Sequence, residues 1–115
     1  MNRYQVIFYK DSRGRQLVQE FINAQDTSTR SKFAKLFNLL QIYGPELMMP
    51  YAKYLKDGMY ELRLRGKNEV RIFYIWISGN QQKVVLLHAF KKQSQKIPAK
   101  ELAVARTRQK ELTGI

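Results

Sequence analysis

The sequence predicts an α+β domain: a helical hairpin, then a mainly antiparallel sheet, then a last helix. Three observations carry this. Apolar residues recur at helical spacing twice between residues 17 and 43. Between residues 59 and 90 the pattern changes to β-branched and aromatic residues broken by two short polar gaps. After Pro98 a sparse helical spacing returns. The order β-α-α-β-β-β-α separates runs of helices from runs of strands, which distinguishes α+β from a parallel α/β sheet. At 115 residues the chain fits one domain, spanning 1–115.

The first strand is read from Tyr4-Gln5-Val6-Ile7-Phe8-Tyr9, a β-branched and aromatic run closed by the turn residues Lys10-Asp11-Ser12-Arg13-Gly14. Leu17, Val18, Phe21 and Ile22 then form one face of a short helix. The second helix starts where Asp26, Thr27 or Ser28 can accept a backbone N–H bond. Phe33, Leu36, Phe37, Leu40 and Tyr43 line its buried side. Gly44 can take the left-handed conformation that ends a helix, and Pro45 cannot continue it. About four residues separate the two helices, so they should form a hairpin.

Residues 46–58 read as a loop ending in the turn pair Asp57-Gly58. Three strands are expected over 59–65, 69–77 and 83–90. Gly66-Lys67-Asn68 and Ser78-Gly79-Asn80-Gln81-Gln82 join them, and both gaps have hairpin length. The three strands should make an antiparallel meander; pattern alone does not place the first strand beside them. Pro98 opens the last helix, Leu102, Ala105 and Leu112 form its apolar side, and Gly114 ends it.

Composition narrows the function classes. There are 21 Lys and Arg against 9 Asp and Glu, for a formal net charge of +12 and a pI near 10.1. Residues 1–57 hold 9 basic and 5 acidic residues (+4), and 58–115 hold 12 and 4 (+8), so the charge concentrates in the meander and last helix. A polyanion or an acidic protein is the expected partner. No cysteine is present, which excludes disulfides, zinc ribbons and thiol catalysis. The single histidine, His88, excludes a two-histidine metal site. No metal or cofactor is expected. No apolar run approaches the roughly 18 residues of a membrane span, and Met1-Asn2-Arg3-Tyr4 leads into a strand rather than a signal peptide. A cytoplasmic location and no membrane partner are the expectation.

The first meander hairpin can be registered residue by residue. A three-residue loop pairs Arg65 with Glu69, Leu64 with Val70, Arg63 with Arg71, Leu62 with Ile72 and Tyr60 with Tyr74. Alternation across a strand puts Tyr60, Leu62, Leu64, Val70, Ile72, Tyr74 and Trp76 on a core face. The other face carries Glu61, Arg63, Arg65, Glu69, Arg71 and Phe73. Arg65 opposite Glu69 suits a surface ion pair. Arg63 opposite Arg71 is destabilising unless an anion lies between them. Two guanidiniums in a fixed frame suit a phosphate, since each presents a planar fork of donors. The alternative is that Glu61 or Glu69 neutralises both arginines diagonally.

The third meander strand has two possible registers. If Val85, Leu87 and Ala89 join the core, which is the cleaner apolar set, His88, Phe90 and Lys92 share the arginine face. The other register buries His88 and puts Lys91 with the arginines. Phe90 beside Lys91 and Lys92 can stack a base while cations hold its phosphate. Lys53 and Lys56, in the loop before the meander, can close over the same face. Arg65, Lys96 and His88 extend the set of RNA-contacting candidates. Arg106, Arg108 and Lys110 on the last helix read as solvated charge. No Gly-rich phosphate loop or metal-ligand cluster is present.

Several segments resemble a known family. Gly44-Pro45-Glu46-Leu47, Pro50-Tyr51 and Leu55-Lys56-Asp57-Gly58-Met59-Tyr60-Glu61-Leu62-Arg63 are similar to the approach to the meander in HigB-like toxins. Val70-Arg71-Ile72-Phe73-Tyr74 matches in the same way, as does the run from Val84 through His88-Ala89-Phe90-Lys91-Lys92 to Pro98, followed by Ala103-Val104-Ala105-Arg106. The likeness spans almost the whole chain and points to the phage-derived HigB branch of the RelE/ParE superfamily of type II toxins. It implies a RelE-like α+β fold and a ribosome-dependent mRNA endonuclease. It also implies a cognate antitoxin, acidic-faced and carrying a helix-turn-helix. A toxin that is monomeric alone should form a higher-order complex with that antitoxin.

By position the family's basic active residues correspond to Arg63, Arg71 and Lys92. The implied chemistry is metal-independent attack of a 2′-OH on the adjacent phosphate. RelE has a catalytic tyrosine in its last helix, where Ile97-Pro98-Ala99 stands here, and a lysine where Glu61 stands. The rival expectations are a ParE-like toxin acting on gyrase and a non-catalytic module binding nucleic acid.

Overall fold

The computed structural model describes residues 3–66, 69–77, 82–93 and 96–114. The elements are β1 (Gln5–Phe8), α1 (Leu17–Asn23), α2 (Thr27–Tyr43), a 3-10 turn (Gly44–Glu46), β2 (Ala52–Lys56), β3 (Met59–Leu64), β4 (Val70–Trp76), β5 (Lys83–Lys91) and α3 (Ala99–Thr113). The fold is α+β in the expected order, with one more strand. The tips of the turns expected at 66–68 and 78–82 lie largely outside the described residues.

The five strands form one sheet in the order β1-β5-β4-β3-β2. β2 through β5 are antiparallel neighbours, and β1 closes the far edge by pairing parallel with β5. The segment 46–58 is therefore not all loop. Ala52–Lys56 is an edge strand paired to β3, with Ala52 opposite Leu62 and Lys53 opposite Glu61. An edge strand needs only one neighbour, and Lys53 and Tyr54 stay exposed along it, so no clean alternation marks it.

Both faces of the sheet are covered. Val18 and Ile22 of α1 and Phe33, Leu36 and Leu40 of α2 pack on Leu62, Leu64, Val70, Ile72, Tyr74, Val84 and Leu86. Asp26 starts α2 as foreseen, its side chain accepting the Thr29 N–H at 2.7 Å. Gly44 ends it with φ of +57°, where a Cβ would also strike the Tyr4 ring. On the other face α3 lays Ala105 against Met59, Phe73, Ile75, Val85, Leu87 and Phe90, with Leu102 alongside. Pro98 is the N-cap of α3, and Gly114 closes it in the left-handed conformation. Tyr43 and Leu112, expected on buried helix sides, are about half exposed, each in the last turn of its helix. Among the described residues no helix is long and apolar enough to cross a membrane.

β5 follows neither single register. A bulge interrupts its pairing with β4: Phe73 pairs with His88, and Tyr74 with Leu86, leaving Leu87 as the extra residue. Such an insertion switches the face of every later residue. Ala89 joins the hairpin-side core as expected, but Val85 and Leu87 turn to the α3 side.

Candidate phosphate-binding face

The expected pairing of β3 with β4 is present throughout, with Arg63 directly opposite Arg71. Paired residues share a face, so register defines cross-strand rows. One row runs Arg63, Arg71, Phe90. Tyr51 extends it at the β2 end, where its carbonyl accepts the Arg63 N–H at 2.8 Å. The next row runs Lys53, Glu61, Phe73, His88. On the other side, Lys92 N–H donates to the Glu69 carbonyl at 2.9 Å, so Glu69 and Lys92 continue the ladder.

The two arginines are not alike in exposure. The Arg71 side chain is 2% exposed and that of Arg63 14%. Glu61, 5% exposed, stands between them: Oε1 lies 3.9 Å from Arg63 Nε and Oε2 3.8 Å from Arg71 Nε. The diagonal neutralisation weighed against a bound anion is therefore built in, and one carboxylate serves two guanidiniums. Glu69 turns to Arg71, at 3.6 Å, rather than across to Arg65, which is exposed.

These contacts are ion pairs without hydrogen bonds. Glu61 Oε2, Arg63 Nε and Arg71 Nε are buried and have no hydrogen-bond partner among the described residues. Buried polar atoms in folded proteins are nearly always bonded, and each orphan costs about 1–3 kcal/mol. Three orphans in one cluster mark an arrangement that is not optimised for stability alone. Arg71 Nη1 donates to the Val70 carbonyl at 3.3 Å. Burial pulls the Arg71 pKa below the ordinary guanidinium value; Glu61 opposes this, and the neighbouring Arg63 charge adds to it. Arg63 Nη1 reaches outward to the Met49 sulfur at 3.0 Å.

The other expected site residues separate into two groups. Lys53, Arg65 and Lys92 border the arginines, with Lys53 and Arg65 exposed and Lys92 partly so. Phe90 is on the arginine face but only 5% exposed. It packs on Phe73 at 5.2 Å and stacks with His88 at 5.9 Å, so α3 has made it core and it cannot receive a base. His88 lies beneath α3, its Nε2 2.6 Å from Glu101 Oε1. Lys91 pairs with Val70 and so falls on the opposite face. Lys56 pairs with Met59 at the far end of β2, where its carbonyl accepts from Arg106; a strand, not a mobile loop, carries it, and it does not close over the arginines. Lys96 is exposed, just before α3. Arg106 and Arg108 are not merely solvated charge, since Arg108 bonds the Leu87 carbonyl at 2.7 Å and lies over the Tyr9 ring.

Sequence reasoning missed Met49 and Tyr51. The signal was present in Met48-Met49-Pro50-Tyr51, an apolar run before an unrecognised strand. A cavity of about 750 Å³ opens at the other end of α3, lined by Ile75, Val85, Arg106 and Leu112 among others, but no facing guanidiniums lie there. Among the described residues no three His, Asp or Glu side chains gather as a metal-binding group.

Residues 20–110 match the model of the family described as Phage derived protein Gp49-like (DUF891). No curated protein matches the chain.

Proposed function

The chain belongs to the phage derived Gp49-like family, and from that premise we propose that it is a HigB-like type II toxin of the RelE/ParE superfamily. In this reading residues 1–115 form one toxin domain that cuts mRNA on the ribosome and is neutralised by an acidic-faced antitoxin. The observation that supports it most is Arg63 opposite Arg71, with an Nε on each that has no hydrogen-bond partner among the described residues. Donors held in place before charge develops cost no reorganisation during the reaction.

The chemistry is attack of a ribose 2′-oxygen on the adjacent phosphorus. The bond from phosphorus to the 5′-oxygen breaks, leaving a 2′,3′-cyclic phosphate and a 5′-hydroxyl. Arg63 stabilises the added negative charge on the phosphoryl oxygens, and Arg71, buried on the neighbouring strand, adds its field from behind it. Glu61 is the carboxylate that lies within 4 Å of both guanidiniums; once a phosphate takes over the arginines it is free to accept the 2′-OH proton. Lys92, at the open edge, gives a proton to the departing 5′-oxygen. The ribosome supplies much of the orientation, so cleavage of naked RNA is weak. The wider charge of +12 steers the protein to ribosomal RNA.

The test is induction of wild type, Arg63→Ala and Lys92→Ala in cells, with transcript 5′ ends mapped. Loss of one transition-state donor should reduce cleavage about 10²–10³-fold. Equal cleavage and equal growth arrest would overturn the assignment. Intact mRNA with broken DNA would favour a gyrase-directed toxin instead.

A further inference from the structure

We infer that Met49 and Tyr51 form a platform for one unpaired nucleobase beside the phosphate held at Arg63; this rests on the arginine face being an RNA site. Large apolar side chains seldom cluster in water without a use. Here Met48, Met49 and Tyr51 are 71%, 53% and 44% exposed within one turn. That turn is pinned to the site. Tyr51 and Ala52 N–H both donate to the Met48 carbonyl, at 3.0 and 3.2 Å. The Tyr51 carbonyl holds the Arg63 backbone, and the Met49 sulfur touches the Arg63 guanidinium.

The ring expected to stack a base, Phe90, is sealed under α3. Tyr51 sits at the other end of the same row and is open. Its surroundings are cationic: Arg63 opposite, and exposed Lys53 two residues along β2. An apolar protein surface laid here would strand those charges. Single-stranded RNA matches both parts, with a phosphate for the guanidinium and a flat π-face for the phenol ring and thioether. A paired base offers no free face, so the platform selects unpaired RNA.

The experiment measures binding of a short 2′-O-methyl RNA, which lacks the attacking hydroxyl, by fluorescence anisotropy over a salt series. A matched oligomer carries abasic sites. Tyr51→Ala should weaken binding about 5- to 160-fold with the slope of log K against log salt unchanged, because stacking releases no counterion. Tyr51→Trp should retain affinity, and the abasic oligomer should bind wild type and Tyr51→Ala alike. Arg63→Ala should instead lower the salt slope by about 0.7. If Arg63→Ala acts as stated but Tyr51→Ala and the abasic oligomer change nothing, the platform is wrong and the RNA site stands. If wild type binds neither oligomer, both fall. If Tyr51→Ala leaves RNA binding intact but turns a dimer into a monomer by size exclusion, the patch is a contact between copies of the chain and the platform is refuted.

Discussion

Replacing Glu61 with glutamine isolates the energetics of the arginine pair. The amide keeps the shape and removes the charge, leaving two guanidiniums opposed. Each of the two ion pairs, at 3.8 and 3.9 Å, has a Coulomb energy of about 4 kcal/mol at an effective dielectric of about 20. Desolvation offsets most of it, and removing one partner of a buried ion pair costs about 3–5 kcal/mol. The low end applies here, because Arg63 keeps some contact with water and Arg71 keeps Glu69 at 3.6 Å. A loss of about 3 kcal/mol corresponds to about 12 °C in Tm, given about 2.1 cal/mol/K of unfolding entropy per residue over 115 residues.

The assay is thermal unfolding followed by circular dichroism, with and without inorganic phosphate. Phosphate should raise the Tm of Glu61→Gln more than that of wild type, since the carboxylate no longer competes for the guanidiniums. At a phosphate concentration of 100 times its Kd the recovery is about 2.7 kcal/mol, nearly the whole loss. A variant as stable as wild type would refute the ion-pair argument. A destabilised variant that phosphate does not rescue would refute the claim that the arginines accept an anion in place of Glu61.

Phe90→Ala should lose about 3–5 kcal/mol of stability without phosphate rescue, measured in the same melts. Asp26→Ala should lose about 1 kcal/mol by removing the α2 cap, read from urea unfolding. Burial holds the Tyr74 hydroxyl well above the ordinary tyrosine value of 10.0. Tyr74 therefore contributes stability that is complete below pH 10 and is lost as pH rises through its folded pKa. Phenolate absorbance should show Tyr74 ionising only as the protein unfolds.

The part of the site formed by β3 and β4 was legible because two constraints agree there. Alternation over Tyr60–Leu64 and Val70–Trp76 identifies a core face, and the short gap between the strands leaves one register that keeps it intact. Arg63 opposite Arg71 follows without any tertiary information. β5 lacked the first constraint. Val84, Val85, Leu86 and Leu87 are all apolar, so alternation carries no signal, and the bulge at Leu87 changes face with nothing in composition to mark it. β1 was recognisable as a strand but not placeable, because its parallel partner lies more than 70 residues away.

The face of Phe90 has a further cause. The arginine side of the sheet reads as open because α3 has so sparse an apolar stripe. Ala105 is fully buried all the same; its small side chain lets the helix approach closely enough to cover Phe73, Val85, Leu87 and Phe90. Tyr51 and Arg63, at the far end of the row from Phe90, are outside that cluster and remain 44% and 14% exposed. One face of one sheet is thus divided between core and site by the placement of a single helix. Of the positive charge concentrated after residue 57, the portion able to meet a phosphate is the portion this helix leaves uncovered.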